Sequence, residues 1–107
     1  MIVKFFVEAN DKEEAQRRFD LDLLVIKENI NLKEPIKIVP YWKDEKIYII
    51  EVIGELFHNT LQKILDYFCD RWQEFGEPVD ELLASKNDEK CLYMKEGYVF
   101  INIFLSE

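Results

Sequence analysis

The spacing of apolar residues predicts a strand at the start of the chain and a helix after it. Apolar side chains recur at every second position of residues 2–8, as in a strand with one face on a core. Beyond them, apolar residues recur at three- and four-residue steps, which is the period of an amphipathic helix. We therefore predict a helix over residues 11–28, with Asp20 and Asp22, two weak helix formers, as a candidate break.

The middle of the chain predicts a hairpin and then the most amphipathic helix. Residues 36–42 and 46–53 have strand character and are joined by a short polar connection. Pro40 has no amide hydrogen to donate, so the first of these strands is expected at a sheet edge or with a bulge. Apolar residues then follow the helical period over residues 57–75, and Gly76 supplies a stop signal.

The C-terminal part predicts a second hairpin. We expect a short helical turn over residues 79–84 and strands over residues 90–94 and 98–105, with Gly97 at a positive-φ turn position. The order βαββαββ indicates an α+β fold, an antiparallel sheet with two helices packed on one face. Its topology would be a ferredoxin-like split βαβ with an added C-terminal strand. No linker interrupts the pattern, so residues 1–107 are expected to form a single domain.

The last predicted strand has two apolar faces. One face is aliphatic and is assigned to the core, while the other carries Tyr98, Phe100, Asn102 and Phe104. A sheet with helices on one side usually places polar residues on the other side, and an exposed aromatic patch indicates an interaction site. The alternative is that the connecting residues 77–87, or a second copy of the chain, cover this face.

The net charge of the chain limits the classes of partner that it is expected to bind. The chain carries 22 acidic and 14 basic side chains, a net charge of −8, and its 49% hydrophobic content indicates a folded domain. Such a balance repels phosphate backbones and anionic membranes and attracts basic proteins, so nucleic acid and membrane are not expected as partners. No leader pattern or membrane-length apolar run is evident, and the cysteines form no disulfide framework. A cytoplasmic location is therefore expected.

The negative charge is concentrated in one segment. Residues 66–89 contain eight acidic and two basic side chains, and Asp66, Asp70 and Glu74 are four residues apart on the predicted helix. This segment is interpreted either as a docking surface for a basic partner or as a solvated acidic face. Metal binding is not expected, because no second helix supplies matching ligands.

Residues with catalytic potential are few. His58 is the one histidine of the sequence, and Cys69 and Cys91 are expected to be small apolar side chains of the core. No glycine-rich phosphate loop is present. We therefore expect no enzymatic activity and no cofactor, with a sensing or catalytic domain that uses His58 as a minor alternative.

In overall character the chain resembles the small immunity proteins of bacterial polymorphic-toxin and contact-dependent growth-inhibition systems, through the acidic run 66–89 and the aromatic strand 98–104. The resemblance implies a non-enzymatic inhibitor that binds a basic cognate toxin, such as a nuclease. The expected contact residues are the acids Asp66, Asp70, Glu74, Asp80 and Glu81 and the aromatic anchors Tyr93, Tyr98 and Phe100. The alternative is a structural or regulatory subunit that self-associates, as a homodimer, through its open sheet face.

Overall fold

An antiparallel sheet with helices on one side forms the architecture of the protein. The computed structural model describes residues 1–105. Within them the elements are β1 (Ile2–Glu8), α1 (Lys12–Asp20), α2 (Leu23–Asn29), β2 (Ile30–Leu32), β3 (Lys37–Tyr41), β4 (Asp44–Leu56), α3 (Leu61–Phe68), β5 (Gln73–Phe75), β6 (Glu81–Ser85) and β7 (Tyr98–Phe104).

The strands are ordered β2-β4-β1-β7-β6-β5, and β3 also pairs with β4. Every one of these pairs is antiparallel. Because β4 is 13 residues long, β3 lies along its first part and β2 along its last part. The hairpin of β3 and β4 confirms the sequence prediction. Pro40 indeed lies in an edge strand, and the register shifts directly after it.

The core forms on one face of this sheet. Phe5 of β1 lies opposite Ile50 of β4 and Ile101 of β7, and all three side chains are fully buried. The rings of Phe19 in α1 and Phe68 in α3 lie 5.4 Å and 5.0 Å from the Phe5 ring. Since both helices contact the same side chain of a central strand, they cover the same face of the sheet. The opposite face carries no helix of the described residues.

The first predicted helix is divided in two at the expected break. α1 begins after Asp11, whose carboxylate accepts the amide of Glu14 at 2.8 Å as an N-cap. α1 ends at Asp20, and α2 starts at Leu23. Asp22 lies in the connection with its side chain buried, because it binds groups from other elements that are described below. The described residues therefore contain three helices rather than the two that were predicted.

The second predicted helix is shorter than its apolar period suggested. α3 ends at Phe68, and Cys69 is already extended, with φ −159° and ψ 150°. The indole Nε1 of Trp72 donates to the carbonyls of Leu65 and Cys69, at 3.0 Å and 3.1 Å. A side chain that was assigned to the helix thus satisfies carbonyl groups at the helix end, and the chain continues into β5.

Two predictions in the C-terminal part are wrong. Residues 79–84 contain no helical turn, because Leu82 and Ala84 alternate into the core in β6 and pair with β7. Residues 90–94 form no strand beyond one isolated bridge between Cys69 and Met94. Gly97 does occupy a positive-φ position, at φ 92°, and β7 lies where it was predicted.

The α+β class with an antiparallel sheet is confirmed, and the finer topology is not. A ferredoxin-like split βαβ unit requires neighbouring parallel strands, whereas β1 is antiparallel to both β4 and β7. The order of elements also differs, because α1 and α2 are separate and β2, β5 and β6 are additional. No helix within residues 1–105 is long and apolar enough to cross a membrane.

Candidate functional site

The sheet face opposite the helices has no covering layer within residues 1–105. We call it the open face. Strand register places on it the side chains that alternate with the buried ones. On β1, β3, β4, β6 and β7 they are Ile2, Lys4, Phe6, Glu8, Lys37, Val39, Tyr41, Ile47, Ile49, Glu51, Ile53, Glu81, Leu83, Ser85, Phe100, Asn102 and Phe104. Ten of these seventeen side chains are apolar or aromatic, whereas the outer face of such a sheet is usually polar.

Four aromatic residues form a continuous row across the open face. The ring of Phe6 lies 5.1 Å from Tyr41 and 5.1 Å from Phe100, in edge-to-face geometry. Tyr41 in turn lies 6.3 Å from Trp42, which is 84% exposed. We call these residues the aromatic row. A cavity of about 310 Å³ is lined by Phe6, Tyr41 and Phe100 of this row and by Ile47. Rigid rings around a concavity can anchor a partner at low cost in side-chain entropy.

Of the predicted aromatic anchors, Phe100 lies on this face and Tyr98 does not. Tyr98 is 1% exposed, and the prediction that it contacts a partner is wrong. The register between β1 and β7 shifts at Phe6 and Val7, so strict alternation fails and Tyr98 packs on the core side. Tyr93 is exposed, but its hydroxyl donates to the carbonyl of Tyr67 at 3.3 Å. Tyr93 therefore lies beside α3 and away from the aromatic row.

Phe6, Tyr41 and Trp42 belong to the row but were not identified from sequence. Alternation along β1 puts Phe6 on the face opposite Val3, Phe5 and Val7. A ring at a position where a polar residue is usual was the signal that could have identified it. Tyr41 and Trp42 stand at the hairpin turn, and no local pattern relates them to β1.

The acidic residues divide into separate groups. Glu74, Asp80 and Glu81, together with Glu77, lie on the hairpin of β5 and β6, which we call the acidic hairpin. Residues 72–85 contain no lysine or arginine. Among the described strands, β5 is the last of the sheet and pairs with β6 alone. Within the part of the chain that the structure describes, the acidic hairpin is thus a free edge whose acidic side chains form no ion pair.

The acidic hairpin adjoins the open face. The Oε2 atom of Glu81 accepts a hydrogen bond of 2.9 Å from Nδ2 of Asn102 in β7, and both residues are on that face. At the turn, the apolar side chains of Phe75 and Val79 are also exposed. One continuous surface therefore combines negative charge at its edge with apolar side chains.

Asp66 and Asp70 do not lie on this surface, although the sequence predicted that they would. The predicted helical line of Asp66, Asp70 and Glu74 is not formed, because α3 ends before Asp70. The Oδ1 atom of Asp70 accepts the amides of Leu92 and Tyr93, at 3.1 Å and 2.9 Å. Asp70 thus holds residues 92–93 against the end of α3, and this bonding accounts for an acid at that position.

The most buried carboxylate of the described residues is Asp22, which is 2% exposed. Its Oδ1 and Oδ2 atoms accept the hydroxyls of Tyr67 and Tyr98, each at 2.6 Å. The Lys95 ammonium lies 3.8 Å from Oδ1 and 4.2 Å from the centre of the Tyr67 ring. Burial raises the pKa of both tyrosines, so they remain protonated donors. With these partners, Asp22 joins α3 and β7 to the connection between α1 and α2.

Other groups with chemical potential stand apart from the open face. His58 is exposed before α3, and no side chain of residues 1–105 forms a hydrogen bond with it that would orient it as a base. Cys69 is buried as expected, whereas Cys91 is only partly buried. Ligand atoms of Cys69, Asp70 and Cys91 lie within 4.8 Å of one another. The Asp70 carboxylate already accepts hydrogen bonds from the amides of residues 92–93. We therefore describe the cluster as a pair of adjacent thiols.

Comparison with known proteins gives no assignment. No protein-family model matches the chain, and neither a curated protein nor a solved structure matches it.

Proposed function

We propose that the chain is a non-enzymatic inhibitor that binds a basic protein, in the manner of a bacterial immunity protein that blocks a cognate toxin in the cytoplasm. The observation that carries the proposal is the acidic hairpin, a free sheet edge without positive charge that continues into the open face. The target surface would be a cationic cleft, as in a toxin that acts on nucleic acid. The inhibitor would act by occupying that cleft, without a chemical step.

Charge on the acidic hairpin supports fast and oriented association. Glu74, Glu77 and Asp80 are exposed, so their field extends into solvent toward an approaching partner. One-sided fields of this kind raise association rates at low salt and disfavour partners of the same sign. The unpaired edge of β5 also offers backbone groups for strand addition by an extended segment of the partner.

The aromatic row would supply the binding energy of the complex. Hot spots in protein interfaces are enriched in aromatic residues that fill pockets and exclude water. Trp42 is available for such a contact because it is largely exposed, with only the edge of Tyr41 and the ammonium of Lys43 near its ring among the described residues. The hydrogen bond between Glu81 and Asn102 connects the acidic hairpin to the open face. The acidic side chains and the aromatic rings can therefore contact the same partner.

The proposal is tested by recovering partners from the native host with the tagged chain and measuring association with a recovered basic protein. The variant Glu74→Lys/Glu77→Lys is compared with Glu28→Lys/Glu34→Lys, which changes the net charge equally at exposed positions outside the hairpin. We expect the hairpin variant to associate on the order of tenfold more slowly at low salt, with the difference reduced at high salt. Equal rates for the two variants would remove the docking role of the hairpin.

A second candidate function is self-association through the open face. It is favoured by the ion pair of Lys4 and Glu51, 4.0 Å apart, which lies among apolar side chains in the middle of that face. Opposite charges in this position can exchange partners across a two-fold axis. Light scattering separates the candidates: a dimer that Trp42→Ser or Phe100→Ser dissociates supports self-association, and a monomer at high concentration excludes it.

A further inference from the structure

The two cysteines of the chain lie side by side in the fold. Cys69 follows α3 directly and is buried, whereas Cys91 lies in the irregular segment 86–97 and is partly exposed. They are 22 positions apart in sequence, and their Sγ atoms are 3.6 Å apart. A small movement of the side chains would bring the sulfur atoms to bonding distance, which is about 2 Å.

Backbone hydrogen bonds hold the two segments together on both sides of the thiols. The amide of Asp70 donates to the carbonyl of Tyr93 at 3.1 Å, and the amide of Lys95 donates to the carbonyl of Phe68 at 2.8 Å. The Asp70 carboxylate adds the bonds to the amides of residues 92–93. The native fold therefore places the thiols in contact before any bond between them forms.

We propose that Cys69 and Cys91 are a modification site that forms an intramolecular disulfide by exchange with a low-molecular-weight disulfide such as oxidised glutathione. The thiolate of Cys91, the more exposed residue, attacks one sulfur of oxidised glutathione and releases the first glutathione thiolate, which takes up a proton. The deprotonated Sγ of Cys69 then attacks Sγ of Cys91 and releases the second glutathione. Two protein thiols are oxidised and one glutathione disulfide is reduced to two thiols.

The surroundings of Cys91 make this reaction slow at neutral pH. Burial and the hydrogen bond with Cys69 raise the pKa of Cys91 to about 11, and only the thiolate attacks a disulfide. The rate should therefore rise about tenfold per pH unit below that pKa. The site would respond to sustained oxidation more than to brief exposure.

The bond would close a loop that contains the acidic hairpin. β5 and β6 lie between Cys69 and Cys91, so oxidation would restrict the unfolded chain in this region. For a loop of this length, the ratio of folded to unfolded protein should rise on the order of 100-fold. The inference does not depend on the proposed function, because it concerns only these thiols and their oxidant.

The test incubates the full chain with oxidised and reduced glutathione at pH 7 and pH 8, followed by alkylation of free thiols and intact-mass measurement. For the wild type we expect a monomer that has lost two hydrogens and resists alkylation, formed about tenfold faster at pH 8. Cys69→Ser should instead accumulate one glutathione adduct on Cys91. Cys91→Ala, a change at the partly exposed position, should remain reduced.

The stability of the oxidised wild type provides a second readout, which is retained if Cys69→Ser fails to fold. Urea unfolding of the oxidised protein should show the increase in the folding equilibrium constant, and Cys91→Ala under the same treatment should show none. A wild type that stays reduced, that keeps a glutathione adduct, or that forms only intermolecular disulfides would overturn the proposal.

Discussion

Removing one oxygen atom from the core, by Tyr98→Phe, tests the role assigned to the buried carboxylate. The hydroxyl of Tyr98 donates to Oδ2 of Asp22 at 2.6 Å. Both residues are almost inaccessible to solvent, so water is poorly placed to replace the lost donor. The substitution keeps the ring, which contacts Phe5 and Phe68 at centroid distances of 5.6 Å and 5.3 Å. The change therefore affects the hydrogen bond and leaves ring packing intact.

The size of the effect follows from the charge of the acceptor. Hydrogen bonds to ionised groups contribute about 1.5–3 kcal/mol, roughly twice a neutral bond, and more is lost when a buried partner is left unsatisfied. After the substitution Asp22 still binds Tyr67 and Lys95. We expect the free energy of unfolding to fall by about 2 kcal/mol. Domains of this size are stable by about 5–15 kcal/mol, so the variant should still fold.

Urea denaturation at pH 7 measures this difference, and Tyr48→Phe is the matched control. Tyr48 is also partly buried against the core, but its hydroxyl binds no group within residues 1–105. Its loss should change stability by less than about 0.5 kcal/mol. Tyr67→Phe completes a double-mutant cycle, in which removal of both donors from Asp22 should be non-additive. A Tyr98→Phe variant as stable as the control would refute the assigned role of the carboxylate.

Three further predictions follow from the same structure. Burial raises the pKa of Tyr98 above its usual 10.0, so as pH rises Tyr98 ionises in the unfolded chain before it does in the folded one. The free energy of unfolding should therefore fall above about pH 10. The fall should be less steep in Tyr98→Phe, and urea titrations at several pH values measure it. Gly54→Ala should cost more than about 1 kcal/mol because its Cβ would overlap the carbonyl of Asn31, and unchanged thermal unfolding would contradict this. Trp42→Ser should leave stability within about 0.5 kcal/mol while weakening partner binding, measured by calorimetry.

Local patterns predicted the strands whose two faces differ in chemistry. β1 and β7 were located by alternation, and β3 was placed at an edge because Pro40 cannot donate to a neighbour. The break between α1 and α2 was also visible, because Asp22 interrupts an apolar period. In each case the residue's own chemistry limits the local structure, without information from distant parts of the chain.

The end of α3 could not be predicted in this way. The apolar period continues past Phe68 to Trp72 and Phe75. Nothing in the local sequence distinguishes a helix that ends at Phe68 from one that continues to Phe75. The helix ends there because Trp72 folds back on its last turn and residues 69–70 bind the segment 92–94. Both contacts are tertiary. β6 was missed for a related reason, since its strand character depends on pairing with β7.

The surface residues were predicted less well than the fold, because strict alternation was assumed for β7. The register shift at Phe6 and Val7 changes which rings of β7 are accessible. Phe100 remains on the open face, whereas Tyr98 turns to the core and binds Asp22. The acidic hairpin was predicted as an acidic segment, but assigned to helix and turn, because its strands are short and lie at the far edge of the sheet.

The separation of Tyr98 from Phe100 also determines which variants can report on binding. Tyr98 belongs to the core, so a loss of partner binding in its variants would follow from a destabilised fold and would carry no information about docking. Phe100 lies on the open face and Trp42 lies at the hairpin turn next to Tyr41, and shortening either side chain removes contact area without opening the core. Glu74 and Glu77 are exposed on the acidic hairpin, so their substitution by lysine changes the charge of the surface and leaves the core intact. Variants at these four positions, with stability measured alongside, can therefore distinguish a docking surface from an acidic edge that serves only solubility.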